Sequence, residues 1–156
     1  MKTFYYVPGK TKEYAVLVIS FFLLLFLVSA CTQQKTGHIK PVGKAGIQKD
    51  VDPAEAFALI KKGRHNPDFV ILDVRTPDEF TEVRIDGAIN IDYYLDNFQQ
   101  ELDKLNKNKT YVIYCRTGRR SGDTFDIMKR LGFMETYHIT GGIKRWIAND
   151  LPVVRK

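Results

Sequence analysis

Four short apolar runs, separated by stretches with helix-starting signals, constrain this chain more than any other feature. The runs are Phe69–Asp73 (FVILD), Ala88–Ile91 (AINI), Tyr111–Cys115 (YVIYC) and Thr136–Thr140 (TYHIT). Unbroken apolar runs of this length suit strands buried on both faces. Between them lie helices. Asp52-Pro53-Ala54-Glu55 supplies a cap residue, a proline at the first helical position and a capping acid, and the helix it opens carries Ala56, Phe57 and Ile60 before Gly63 stops it. Thr76-Pro77-Asp78-Glu79 repeats the signature for a short helix. Asp96–Leu105 reads as a helix through Phe98, Leu102 and Leu105, Ser121–Leu131 through Ile127 and Leu131 with Gly132 as the stop, and Gly141–Asn149 as the last. Ile47–Val51 adds a short edge strand. Alternation of this kind predicts an α/β fold with a mostly parallel central sheet flanked by helices on both faces. With 44% hydrophobic and 27% charged residues, the chain is neither disordered nor collagen-like. The folded region is read as one domain at 47–156.

The N-terminal part reads as an address. Lys2, Lys10 and Lys12 precede an uncharged run, Ala15–Ala30, which closes in Val28-Ser29-Ala30-Cys31. A basic start, an apolar stretch and small residues before a cut site make a secretory signal, here residues 1–30. The closing residues resemble the lipobox of bacterial lipoproteins. That resemblance implies cleavage before Cys31, a diacylglyceryl group on its sulfur and acylation of the new amine. The domain would then be extracytoplasmic and lipid-anchored at a cell membrane or outer membrane, with acyl chains contributing about 0.8 kcal/mol per buried CH₂. An uncleaved N-terminal anchor is the alternative. Residues 31–46 are polar, hold no apolar periodicity and read as a tether in which His38 is solvated.

Net charge is +6, yet no basic run is interleaved with aromatics, which gives no case for a nucleic-acid partner. With Cys31 lipidated, Cys115 is the one thiol left and cannot form an internal disulfide. It opens the loop Cys115-Arg116-Thr117-Gly118-Arg119-Arg120-Ser121, which joins a buried strand to a helix. A strand, a tight loop and a helix aim successive backbone N–H groups at one spot, here the Cys115 sulfur. In sheets of this kind ligands bind beyond the carboxyl ends of the strands, where Asp73, Cys115 and Gly141 all fall. A thiol of pKa ~8.5 is about 3% thiolate at neutral pH, and a two-unit drop makes it mostly anionic. Cys115 is therefore expected to be a nucleophile.

The loop Cys-Arg-x-Gly-x-Arg-Ser, with Leu72-Asp73-Val74-Arg75, the Pro-Asp-Glu-Phe helix, Ile85–Asn90 and Gly141-Gly142-Ile143 leading to Trp146, resembles the rhodanese family. The resemblance covers about residues 47–154. It implies a rhodanese-like fold and a sulfurtransferase of the thiosulfate:cyanide class. The Cys115 thiolate would take the outer sulfur of a small anionic donor, thiosulfate or a polysulfide, and a thiol or cyanide would remove it from the persulfide. No metal or other cofactor is implied, and the domain is expected to act as a monomer. The loop N–H groups from Arg116 through Thr117, Gly118, Arg119 and Arg120 to Ser121 would hold the persulfide anion. Arg116 and Arg120 would attract the donor, Arg119 would face solvent, and Ser121 would either cap the helix or touch substrate. Asp73 and Arg75 read as supporting structure more than as acid–base catalysts. Tyr94 or Leu95 could line the pocket mouth, while Trp146, His65 and His138 read as structural. Where many relatives carry histidine this chain has Arg84, which adds a cation beside the site. Two other readings compete. One is a non-catalytic binding or sulfide-sensing module of the same family, which commonly lacks the cysteine. The other is a Cys-dependent phosphatase, whose Cys-x5-Arg loop is one residue longer than the spacing from Cys115 to Arg120.

Overall fold

In the computed structural model, which describes residues 46–156, the two proline-led helix starts form as the local chemistry dictates. Asp52 accepts from the Glu55 N–H at 2.8 Å and opens α1 (Pro53–Gly63), after β1 (Ile47–Val51). β2 (Phe69–Asp73) follows, and then Thr76 and Glu79 form a reciprocal capping box at the start of α2 (Pro77–Glu82). The remaining elements are β3 (Val83–Arg84), β4 (Ala88–Asn90), α3 (Phe98–Asp103), β5 (Thr110–Tyr114), α4 (Arg119–Arg130), β6 (Glu135–Ile139), α5 (Gly142–Ala148) and β7 (Val154–Arg155). The predicted signal at 1–30, the lipidated Cys31 and the tether at 31–46 lie outside the described residues, save for Gly46. Among the described residues no helix is long and apolar enough to cross a membrane.

Five strands make one sheet in the order β1-β6-β5-β2-β4, every pairing parallel. The expected edge strand β1 pairs with β6 from Ile47↔Glu135 to Val51↔Ile139. β3 and β7 form a separate antiparallel pair, Val83↔Arg155 and Arg84↔Val154, which no local pattern announces. Leu105 lies beyond the end of α3, and the helix after the cysteine loop begins at Arg119 instead of Ser121.

The strands read as apolar because both faces of the sheet are covered. On one face Val112, Tyr114 and Ile139 pack with Ala56 and Ile60 of α1 and Ile143 and Trp146 of α5. On the other, Leu72, Tyr111 and Ile113 pack with Phe98 and Leu102 of α3 and Met128 of α4. Burying each such aliphatic side chain contributes about 1.5–3 kcal/mol. Trp146 belongs to the core: its indole N–H donates to the Pro152 carbonyl at 3.0 Å, and Phe57 meets it edge-on.

Past the end of β2, a buried ion pair shapes the neighbouring loop. Asp73 accepts from Arg75 through the backbone N–H at 2.9 Å and through the guanidinium at 2.6–3.0 Å. The same guanidinium donates to the Val83 carbonyl and lies over the Tyr114 ring, while the Ile85 N–H donates to the Tyr114 hydroxyl at 3.1 Å. Burial would push the Arg75 guanidinium down, but its bonds to Asp73 outweigh this and hold it above its ordinary value. Removing the carboxylate would leave a buried cation with no carboxylate bonded to it, only the Val83 carbonyl and the Tyr114 ring. Asp73→Ala is therefore expected to cost about 3–5 kcal/mol, read from the midpoint of a urea unfolding curve.

Candidate active site

β5 ends at Tyr114, and the next residue, Cys115, is only 1% exposed. The chain must then turn within three residues to start α4. Gly118 makes this turn with φ +99°, in the left-handed region that favours glycine. Its own N–H thereby comes to 3.1 Å from the Cys115 Sγ. The turn also takes the N-cap position, so Ser121 does not cap the helix, which was one of its two expected roles. Ser121 lies in the first turn of α4, where its Oγ is 3.4 Å from Sγ and 3.2 Å from the Gly118 carbonyl oxygen.

The start of α5 holds the loop from behind. Ile143 N–H donates to the Cys115 carbonyl at 2.8 Å and Lys144 N–H to the Arg116 carbonyl at 3.1 Å. This approach needs Gly142, since a Cβ there would stand 2.4 Å from the Cys115 carbonyl oxygen. One helix start thus presents amides to the sulfur, and the other satisfies the loop's carbonyls.

The sulfur's electrostatics follow from these bonds. Burial by itself pushes the Cys115 thiol up, because an anion loses water there. Hydrogen bonds from the Ser121 hydroxyl and from the Ser121, Thr117 and Gly118 N–H groups outweigh this, and the thiol lies below its ordinary value. The arginines divide their roles. Arg120 is buried and pairs with Glu79 at 2.8 Å, so its charge, expected for the donor, is already answered by a carboxylate. Partial burial would raise the Glu79 carboxyl, but Arg120 and Thr76 hold it below the usual carboxylate range. Arg119 is exposed and stands 3.5 Å from Asp123. Arg84, read as an added cation beside the site, lies over the Phe80 ring at 5.3 Å.

A cleft of about 430 Å³ opens over the loop, lined by Glu79, Tyr94, Arg116, Thr117, Arg119, Arg120 and Lys144. Tyr94, 60% exposed, lies against the Arg120 guanidinium at 5.5 Å and forms the rim. Leu95 is exposed but is not among the lining residues. Asp73 and Arg75 bond to each other, and Arg75 also donates to the Val83 carbonyl; neither side chain bonds to the loop. Three residues of the site escape sequence reasoning, the first being Glu79, read only as a helix-capping acid, which meets Arg120 across 41 positions. Lys144 joins the cleft only because α5 docks on the loop. His138 reaches the Gly118 carbonyl across 20 positions, with Nε2 at 3.1 Å.

A buried thiol faced by backbone amides at a strand-to-helix turn is the geometry that defines this site. The profile of the rhodanese-like domain family matches residues 53–149. The chain belongs to the rhodanese-like domain family. It is 38% identical over 102 residues to the probable adenylyltransferase/sulfurtransferase MoeZ of Mycobacterium tuberculosis, covering 65% of this chain but only 25% of that protein. It therefore spans about a quarter of that relative's length. Against the thiosulfate sulfurtransferase GlpE of Coxiella burnetii it is 32% identical, covering 66% of this chain and 91% of the relative. The crystal structure of a rhodanese-related protein from Thermoplasma volcanium superposes with a TM-score of 0.59 at 28% identity, covering 69% of this chain and 99% of that one. These relatives support a sulfurtransferase family.

The depressed thiol gives a direct expectation. Iodoacetamide should alkylate Cys115 with a midpoint below the ~8.5 of a free peptide thiol, so that as pH falls its rate declines later than that of a free thiol. Mass spectrometry of the Cys115 peptide over a pH series checks this.

Proposed function

We propose that this protein is a sulfurtransferase that carries sulfane sulfur as a persulfide on Cys115. The observation that carries the reading is the Cys115 sulfur itself, faced at 3.1 Å by the Gly118 N–H and at 3.4 Å by the Ser121 hydroxyl. The thiolate attacks the outer sulfur of thiosulfate or a polysulfide. The donor's S–S bond breaks, and sulfite or a shortened polysulfide leaves with the electron pair. The terminal sulfur of the resulting persulfide is an anion, which the loop N–H groups and Ser121 stabilise. Cyanide or an acceptor thiolate then attacks that sulfur. Thiocyanate or a new persulfide departs, and the Cys115 thiolate is restored. The domain works as a monomer, extracytoplasmic and held at a membrane by lipid on Cys31.

Ion pairing decides which cations meet the donor. Glu79 answers Arg120, and Asp123 lies near Arg119. Arg116 and Lys144 are then the cleft cations with no carboxylate partner among the described residues. Arg120 serves the site by fixing the loop against α2.

Treatment with thiosulfate should add one sulfur, about 32 Da, to the Cys115 peptide, and Cys115→Ser should abolish both the adduct and thiocyanate formation. Absence of an adduct with every sulfane donor would overturn the reading in favour of a binding module. Turnover of an aryl phosphate that is lost in Cys115→Ser would overturn it in favour of a phosphatase. Arg116→Ala and Lys144→Ala should each raise KM for thiosulfate about threefold to tenfold while leaving kcat nearly unchanged, as measured by steady-state thiocyanate formation.

A further inference from the structure

Behind the loop, His138 on β6 links β1 to the Gly118 carbonyl. Its Nδ1 is 2.8 Å from the Asp50 carboxylate, and its Nε2 is 3.1 Å from the Gly118 oxygen. α4 faces the ring through Phe125, at 5.9 Å between ring centroids, and through Gly122. The Gly118 carbonyl only accepts hydrogen bonds, so Nε2 serves it as the donor, while the Asp50 carboxylate orients the ring from its other side.

The Gly118 carbonyl has two lone pairs and three potential donors. Gly122 N–H donates to it at 2.8 Å as an opening bond of α4, His138 Nε2 stands at 3.1 Å, and the Ser121 hydroxyl at 3.2 Å. Ser121 has a single hydroxyl proton, and its other acceptor is the Cys115 sulfur at 3.4 Å. Sulfur is the larger atom, so 3.4 Å to Sγ and 3.2 Å to the carbonyl are both within reach and distance alone does not assign that proton. Once Gly122 and His138 fill the two lone pairs, the sulfur is the acceptor left, and its negative charge strengthens the bond.

We propose that His138, held by Asp50, is a positioning residue that directs the Ser121 hydroxyl proton onto the Cys115 sulfur by occupying the Gly118 carbonyl. The inference rests on Cys115 being the reacting atom of the proposed sulfur transfer. Among the groups that favour the thiolate, the Ser121 hydroxyl is the largest contributor, ahead of the backbone amides. Without His138 the hydroxyl turns to the vacated lone pair, and the sulfur keeps only its amide donors. The other charge acting on the sulfur, Arg120, stays in place because Glu79 holds it.

The test reads the thiol and needs no sulfur donor, so a failure of sulfur transfer and a failure of this inference leave different marks. The full chain is alkylated with iodoacetamide over a pH series, and the rate is followed by mass spectrometry on the Cys115 peptide, which keeps Cys31 out of the signal. His138→Leu should move the midpoint upward, so that alkylation on the acidic limb slows about threefold to tenfold. Ser121→Ala should do the same, and the double variant should go no further than Ser121→Ala alone. His138→Gln, whose amide can donate to the Gly118 oxygen, should recover most of the loss. An unmoved profile in His138→Leu would overturn the proposal. So would a shift that persists at full size in the Ser121→Ala background. If circular dichroism shows that His138→Leu does not fold, the exposed Asp50→Ala takes its place, with the same upward direction expected when Ser121 is present and no added shift when it is not. Equal shifts in both backgrounds overturn the proposal there too.

Discussion

A buried sulfur is anionic only if donors replace the water it has lost, and most of this domain's local geometry serves that need. The donors are short-range and directional: the Gly118 amide, the Ser121 hydroxyl and the neighbouring N–H groups of one tight loop. A displacement of a fraction of an ångström would weaken them. The loop is accordingly fixed from several sides. Gly118 supplies the turn, α5 donates two amides to the loop's carbonyls, and Arg120 reaches across to Glu79. Desolvation, which alone would protonate the thiol, becomes compatible with an anion only because these supports act together.

Two carboxylate–guanidinium pairs divide the remaining work. Asp73 and Arg75 are fully withdrawn from water and organise the backbone around Val83 and Ile85. Glu79 and Arg120 sit at the floor of the cleft and join α2 to the start of α4. The second pair explains why a loop with three arginines presents less positive charge to a ligand than its composition suggests. Burial alone would not have separated these roles, since both arginines are buried; the partner of each decides.

Much of the fold was legible because its determinants are local. A cap residue with proline behind it, or five apolar residues in a row, acts within a few positions, and α1, α2, β2 and β5 fall where those signals lie. The β3–β7 pair was not legible. Each strand has two residues, and they meet across about seventy positions with no pattern in either. The same distinction runs through the site. Cys115 and its loop announce themselves by spacing, and the amide cradle follows from a strand-to-helix turn. Arg120's partner lies 41 positions away, His138's carboxylate 88, and Lys144 arrives only with the docking of a separate helix. Ser121 was open between two roles because the sequence shows that Gly118 can adopt a left-handed turn without showing that the turn takes over the cap.

The parallel sheet also gives the domain a direction. Every strand of the main sheet runs the same way, so the chain enters β1 at Ile47 beside the strand beginnings, whereas Cys115 stands just past the opposite ends. Five residues of strand separate those two levels by roughly 17 Å. Entry point and the Cys115 sulfur therefore occupy opposite poles. The described chain therefore begins at the pole away from the Cys115 sulfur, and the cleft over the loop opens at the other.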